Sequence, residues 1–151
     1  MEAVMKMGRV VFLFVFQLAF LVPCFAHHMA VVVNKDNTAE NITSAHLTRI
    51  VRAEMKMWPD GKNVVLVLHK NSNGEMETLE RLSKLSASAL RSHFAAHKDF
   101  IVWVDSDAEV LKIVQSIQGA IGFVDVRSVD NSINVVHVDG KLPMESGYLP
   151  H

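Results

Sequence analysis

The stretch Asn71-Ser72-Asn73-Gly74 has residue types and spacing suited to holding a small anion. It follows an apolar run from Val64 to Leu68, and Ser72 with Glu75 has the spacing of a capping box at a helix start. A helix N-terminus presents main-chain N–H groups without intrahelical acceptors and a partial positive charge, which together attract anions. Ser72 and Asn73 add neutral donors, and His69 and Lys70 adjoin. The same residues also make an ordinary N-cap, with Ser72 bonding its own helix and Glu75 completing the box. Both readings stand at this level. Glu75 counts against an anion, because a carboxylate in the first helical turn repels it.

The other chemistry-bearing residues point to little. His93 and His97 are four apart on an expected helix, the spacing of some zinc sites. No third ligand or His-Glu-x-x-His pattern accompanies them, so a solvated helix face is expected. His27 and His28 lie where a trimmed N-terminus would begin, and copper chelation there would be adventitious. Asp105, Asp107 and Asp125 are candidates to cluster, although Asp105 and Asp107 flank Ser106 at a helix start, where acids are favoured anyway. There is no Gly-x-Ser-x-Gly elbow and no phosphate-binding P-loop. The chain is therefore expected not to be an enzyme, and to use no cofactor or metal. Asn41-Ile42-Thr43 matches a glycosylation acceptor, which matters only in a eukaryotic secretory route. Trp58 and Trp103 are expected to pack, not to bind.

The elements that must position the loop can be read from apolar periodicity. Strands are expected near residues 30–34, 64–68, 101–104, 120–124 and 133–138, each a short apolar, largely β-branched run. Between them lie helices capped by Thr43, Ser72, Ser86 and Ser106. Their inner faces carry Leu47, Ile50, Val51 and Met55, then Met76, Leu79, Leu82 and Leu85, then Leu90 and Phe94, then Val110, Ile113, Val114 and Ile117. Trp58-Pro59-Asp60-Gly61 ends the first helix, and Gly119 suits a left-handed position after the last. Apolar strands alternating with helices imply an α/β fold: an open three-layer sheet, mostly parallel, with helices on both faces. Ligands bind such sheets beyond the carboxyl ends of the strands.

Residues 1–26 read as a signal peptide. Lys6 and Arg9 precede an apolar run from Val10 to Val22, and Cys24-Phe25-Ala26 places small residues at −3 and −1 of a cut after Ala26. Thirteen apolar-run residues are short of the ~20 a spanning helix needs. The expected location is periplasmic or secreted; a lipid anchor through Cys24 is the alternative. Residues 27–151 then form a single domain whose only cysteine has been lost with the leader, so it has no disulfides and no thiol chemistry. Removing Lys6, Arg9 and Glu2 leaves 13 basic and 15 acidic residues, a net charge of −2. That balance offers nothing to nucleic acid.

The segment order resembles the phosphate-binding proteins of ABC importers, in the type 2 periplasmic-binding superfamily. Val33-Asn34-Lys35-Asp36-Asn37, Ile42-Thr43 and Leu47 are similar to that family's strand, Asn-Lys turn and Thr-capped helix. Ser72-Asn73-Gly74 occupies the place of its Ser/Gly/Thr phosphate loop. Gly119-Ala120-Ile121-Gly122-Phe123-Val124 resembles its Gly-Ala-Ile-Gly-Tyr-Val strand. The resemblance implies a single-lobe or truncated relative, since family members have two lobes and the first half of the phosphate contacts has no counterpart here. His69 stands where the family often has Arg. The implied function is an exported solute-binding-like module that binds a small oxyanion such as phosphate weakly and works with a membrane transporter. The alternative is an accessory protein of the envelope that kept the fold without the ligand.

Overall fold

The computed structural model describes residues 28–150; residues 1–27 and His151 lie outside them, and with them the expected signal peptide and its cut after Ala26. The main sheet has five strands in the order β4-β3-β5-β1-β6. They are β1 (Met29–Val33), β3 (Val65–His69), β4 (Ile101–Val104), β5 (Ala120–Asp125) and β6 (Asn134–Val135). Strands β4, β3 and β5 are mutually parallel, while β1 is antiparallel to both β5 and β6. Four strands therefore share one direction and β1 runs against them, so the expected sheet is mixed but mostly parallel. A separate parallel pair joins β2 (Asn41–Ile42) to β7 (His137–Val138).

The strand residues alternate between two cores, as the two-residue period of a strand requires. Val31, Val33, Leu66, Leu68, Ile121 and Phe123 face one core. Ala30, Val32, Val67, Ala120 and Val124 face the other. Three helices cover the first face: α1 (Ser44–Val51), α2 (Asn73–Ser83) and α3 (Ala87–Ala96). They bury Leu47, Ile50 and Val51, then Leu79 and Leu82, then Leu90 and Phe94. Among the described residues helix α4 (Asp107–Ser116) is the one helix on the second, through Val110, Leu111 and Val114. Each fully buried side chain of this size contributes about 1.5–3 kcal/mol. All four expected caps form, each Ser or Thr oxygen accepting an N–H three residues on.

Several boundaries differ from the sequence expectation. The run 133–138 is two strands in two sheets. Asn134 and Val135 pair with β1, whereas the N–H of His137 donates to Glu40. Helix α1 stops at Val51, leaving Met55 outside it, because Ala53 adopts a left-handed conformation with φ 55°. Met76 is only partly buried; Leu85 and Ile117 lie just past the ends of their helices. Gly119 is not left-handed. Glycine is required there by close approach: a Cβ would lie 1.8 Å from the carbonyl oxygen of Asn63.

The topology sets where a ligand would go. From β3 the chain enters α2 and α3 on one face and reaches β4. From β4 it enters α4 on the opposite face and returns to β5 on the far side of β3. The carboxyl ends of β3 and β4 therefore flank a switch point, with the N-termini of α2 and α4 above it on opposite faces.

Candidate functional site

The four predicted site residues sit together at that switch point. Asn71 and Ser72 form the turn after β3, Ser72 is the N-cap of α2, and Asn73 and Gly74 are its first two residues. The Ser72 hydroxyl accepts the N–H of Glu75 at 3.2 Å, and the Ser72 N–H donates to the His69 carbonyl at 3.3 Å. Among the described residues the N–H groups of Asn73 and Gly74 have no acceptor, as expected for the first turn of a helix. Asn71 and Asn73 are exposed, Ser72 is half-buried and Gly74 is buried.

The capping box is only half formed. Glu75 does not reach back to the Ser72 N–H. Its Oε1 instead accepts the N–H of His69, at 3.0 Å. The residue is 2% exposed, and its Oε2 is buried without a partner among the described residues. Burial pushes this carboxyl well above the usual range; the His69 N–H opposes the shift and the nearby Asp107 adds to it.

The neighbouring basic groups are already engaged. The His69 Nδ1 lies 3.1 Å from Asp107 Oδ1, and Lys70 Nζ lies 3.4 Å from Asp105 Oδ1. Asp107 is a hub whose Oδ2 also accepts the N–H of Asp125 at 3.0 Å and the hydroxyl of Ser128 at 2.9 Å. Asp125 in turn holds the Arg127 guanidinium through two bonds of 2.8 Å. Asp107 and Asp125 thus meet, while Asp105 turns outward to Lys70. Sequence reasoning missed both the hub and the burial of Glu75. The one available signal was the position of Asp107 just after a Ser cap.

The remaining candidates lie elsewhere. The His93 and His97 rings lie tilted at 39° with centroids 4.4 Å apart, and His97 Nδ1 bonds the His93 carbonyl at 2.9 Å. No group of three or more metal-ligating side chains exists among the described residues. Trp58 is buried and its indole N–H donates to the Gly119 carbonyl at 2.9 Å. Trp103 is 38% exposed and meets Phe94 edge-on. A hollow of about 340 Å³ beside His97, Asp99 and Lys56 opens at the amino end of β3, away from the loop. No helix among the described residues is long and apolar enough to cross a membrane.

No protein-family model matches the chain, and no curated protein matches it. Solved structures do. An ABC-type phosphate transport receptor from Vibrio cholerae is similar over 78% of this chain and 48% of its own, with TM-score 0.62 and 20% identity. PstS from Borrelia burgdorferi is similar over 78% and 49%, with TM-score 0.59 and 18% identity. A phosphate-binding protein from Stenotrophomonas maltophilia is similar over 78% and 40%, with TM-score 0.65 and 16% identity. The first and third are by description a phosphate transport receptor and a phosphate-binding protein. The chain has the fold of the phosphate-binding proteins of ABC transporters over somewhat less than half of their length.

Proposed function

We propose that the chain is an exported solute-binding-like module that holds a small oxyanion, such as phosphate, weakly at Asn71-Ser72-Asn73-Gly74. One observation carries the reading: two adjacent main-chain N–H groups, of Asn73 and Gly74, lack acceptors among the described residues at the start of an eleven-residue helix, beside the switch point of the sheet. The fold shared with phosphate-binding proteins supports it. Export rests on the signal-like residues 1–26, with a lipid anchor on Cys24 as the alternative. A membrane transporter is the proposed partner.

Weak binding follows from the site itself. His69 and Lys70 are already paired with Asp107 and Asp105. Asn71 and Asn73 are exposed, so an anion at this loop stays partly in water and its contacts are screened. Millimolar affinity corresponds to about 4 kcal/mol. Chemical-shift titration of residues 27–151 with phosphate tests the reading. Saturable shifts at residues 69–78, weakened about fivefold by Ser72→Ala, are expected. Shifts clustered elsewhere would refute the site, and submicromolar affinity of the monomer would refute the weakness.

The engagement of His69 and Lys70 by carboxylates also favours the second reading, an envelope accessory protein that kept the fold without a ligand. Absence of any response to phosphate, sulfate or molybdate puts that reading first.

A further inference from the structure

Residues 69 to 75 close into a ring. The Glu75 carboxyl folds back beneath the loop so that Oε1 accepts the His69 N–H at 3.0 Å, while Oε2 stays buried with no partner among the described residues. An ionised carboxylate oxygen without a donor is costly in such a place, whereas a neutral carboxylic acid is tolerated. Immediately before Glu75 come Asn73 and Gly74, whose N–H groups lack acceptors among the described residues. The unpartnered carboxyl oxygen and the unpartnered donors thus belong to the same helical turn.

We propose that the loop takes up an anion and a proton together, with Glu75 as the residue that carries the proton. This rests on the anion-site reading above. An anion on the Asn73 and Gly74 N–H groups lies within one turn of the Glu75 carboxyl, which is itself buried. Two negative charges so placed disfavour each other, so the bound anion strengthens the hold of Glu75 on its proton. The reciprocal effect is obligatory: a protonated Glu75 binds the anion more tightly. Ionised Glu75 would also occupy the positive end of the helix that the anion needs.

Few groups compete for this role. The charged side chain acting on Glu75 from another element is Asp107 of α4, which holds the His69 imidazole. From α1, α3 and β1, the elements packed against α2, no charged side chain acts on it among the described residues. Burial already raises the affinity of Glu75 for its proton, so the coupling starts from a carboxyl poised to be neutral.

Sulfate is the probe, because its charge is constant over the range used. Affinity for sulfate is measured from about pH 5.5 to about pH 8.5 on the wild-type chain and on Glu75→Gln, which keeps the shape and the acceptor for His69. The wild type should weaken at least about tenfold across the range, and Glu75→Gln should lose most of that trend. In parallel, the carboxyl carbon shift of Glu75 in the wild type should show its protonation midpoint rising when sulfate saturates; this arm does not depend on any variant folding. The same pH trend in Glu75→Gln, or a Glu75 midpoint unmoved by sulfate, overturns the coupling. Saturable binding indifferent to pH overturns the coupling alone and leaves the anion site standing. Absence of sulfate-induced shifts at residues 69–78 in both proteins overturns the anion site and the coupling with it.

Discussion

The Tyr148 hydroxyl accepts the main-chain N–H of Val31 at 3.0 Å. It also donates to the Val136 carbonyl at 2.8 Å, so one oxygen near the end of the chain ties the first strand to the last sheet crossing. Both main-chain groups are buried, and neither has water as a substitute partner.

Tyr148→Phe should therefore destabilise the fold by about 1–3 kcal/mol, read as a lower urea midpoint with unchanged slope. Burial also pushes the phenol from its usual 10.0 up to about 12. The folded state holds this proton more tightly than the unfolded state. Its contribution is complete below pH 10 and is lost as pH rises towards about 12. Urea titrations across that window should show the loss in the wild type and none of it in Tyr148→Phe.

Gly119→Ala should cost about 3 kcal/mol or more, because the new Cβ meets a main-chain oxygen, Asn63 O, at 1.8 Å. The backbone of β5 or of the Asn63 turn would have to move, and Trp58 would lose its Gly119 acceptor geometry. Gly122→Ala makes the useful contrast. Its Cβ meets the Val110 Cγ1 at 2.6 Å, a side-chain atom that yields only if α4 shifts as a body, so about 1–3 kcal/mol is expected. Equal thermal shifts for the two variants would contradict the distinction.

Glu75 should make stability fall as pH rises. Its folded carboxyl holds the proton well above the ordinary value of 4.5, so its contribution is complete below that pH and is lost as pH rises through the raised value. Glu75→Gln removes the titration while keeping the bond from His69. The variant should gain on the wild type steadily above pH 4.5 in urea unfolding, and a constant difference across pH would contradict this.

Asp107→Ala should cost about 1–3 kcal/mol, since it leaves the Asp125 N–H, the Ser128 hydroxyl and the His69 imidazole without their acceptor. The site is half-buried, so water recovers part of the loss. The informative readout is hydrogen exchange, which should accelerate at Asp125 and leave Val31 and Val33 protected.

The fold class was legible because its signals are local. Val31 to Val33, Leu66 to Leu68 and Ile121 to Val124 are apolar on both faces, which a strand covered by helices on each side demands. Ser and Thr oxygens stand where helix starts need acceptors, and each is used. The loop 71–74 was legible for the same reason, since a polar cap between a buried strand and an amphipathic helix is a statement about neighbours in sequence. The split of 133–138 was not, because Ile133 to Val138 reads as one β-branched run and its partners are some hundred residues earlier.

What the amino-acid order determined by itself is thus the set of elements, their caps and the place of the loop, because hydrophobic period and capping act over a few residues. Tertiary structure alone decided the reversed direction of β1, the glycine at 119 demanded by Asn63, and the electrostatics of the site. Capping-box spacing predicts that Glu75 answers Ser72; packing buried it beneath the loop and gave it His69 instead. His69 and Lys70 look like unengaged side chains in the sequence, but the crossing from β4 to α4 brings Asp107 and Asp105 onto them. Charge and burial depend on distances through space, and those distances exist only once the strands have chosen their neighbours.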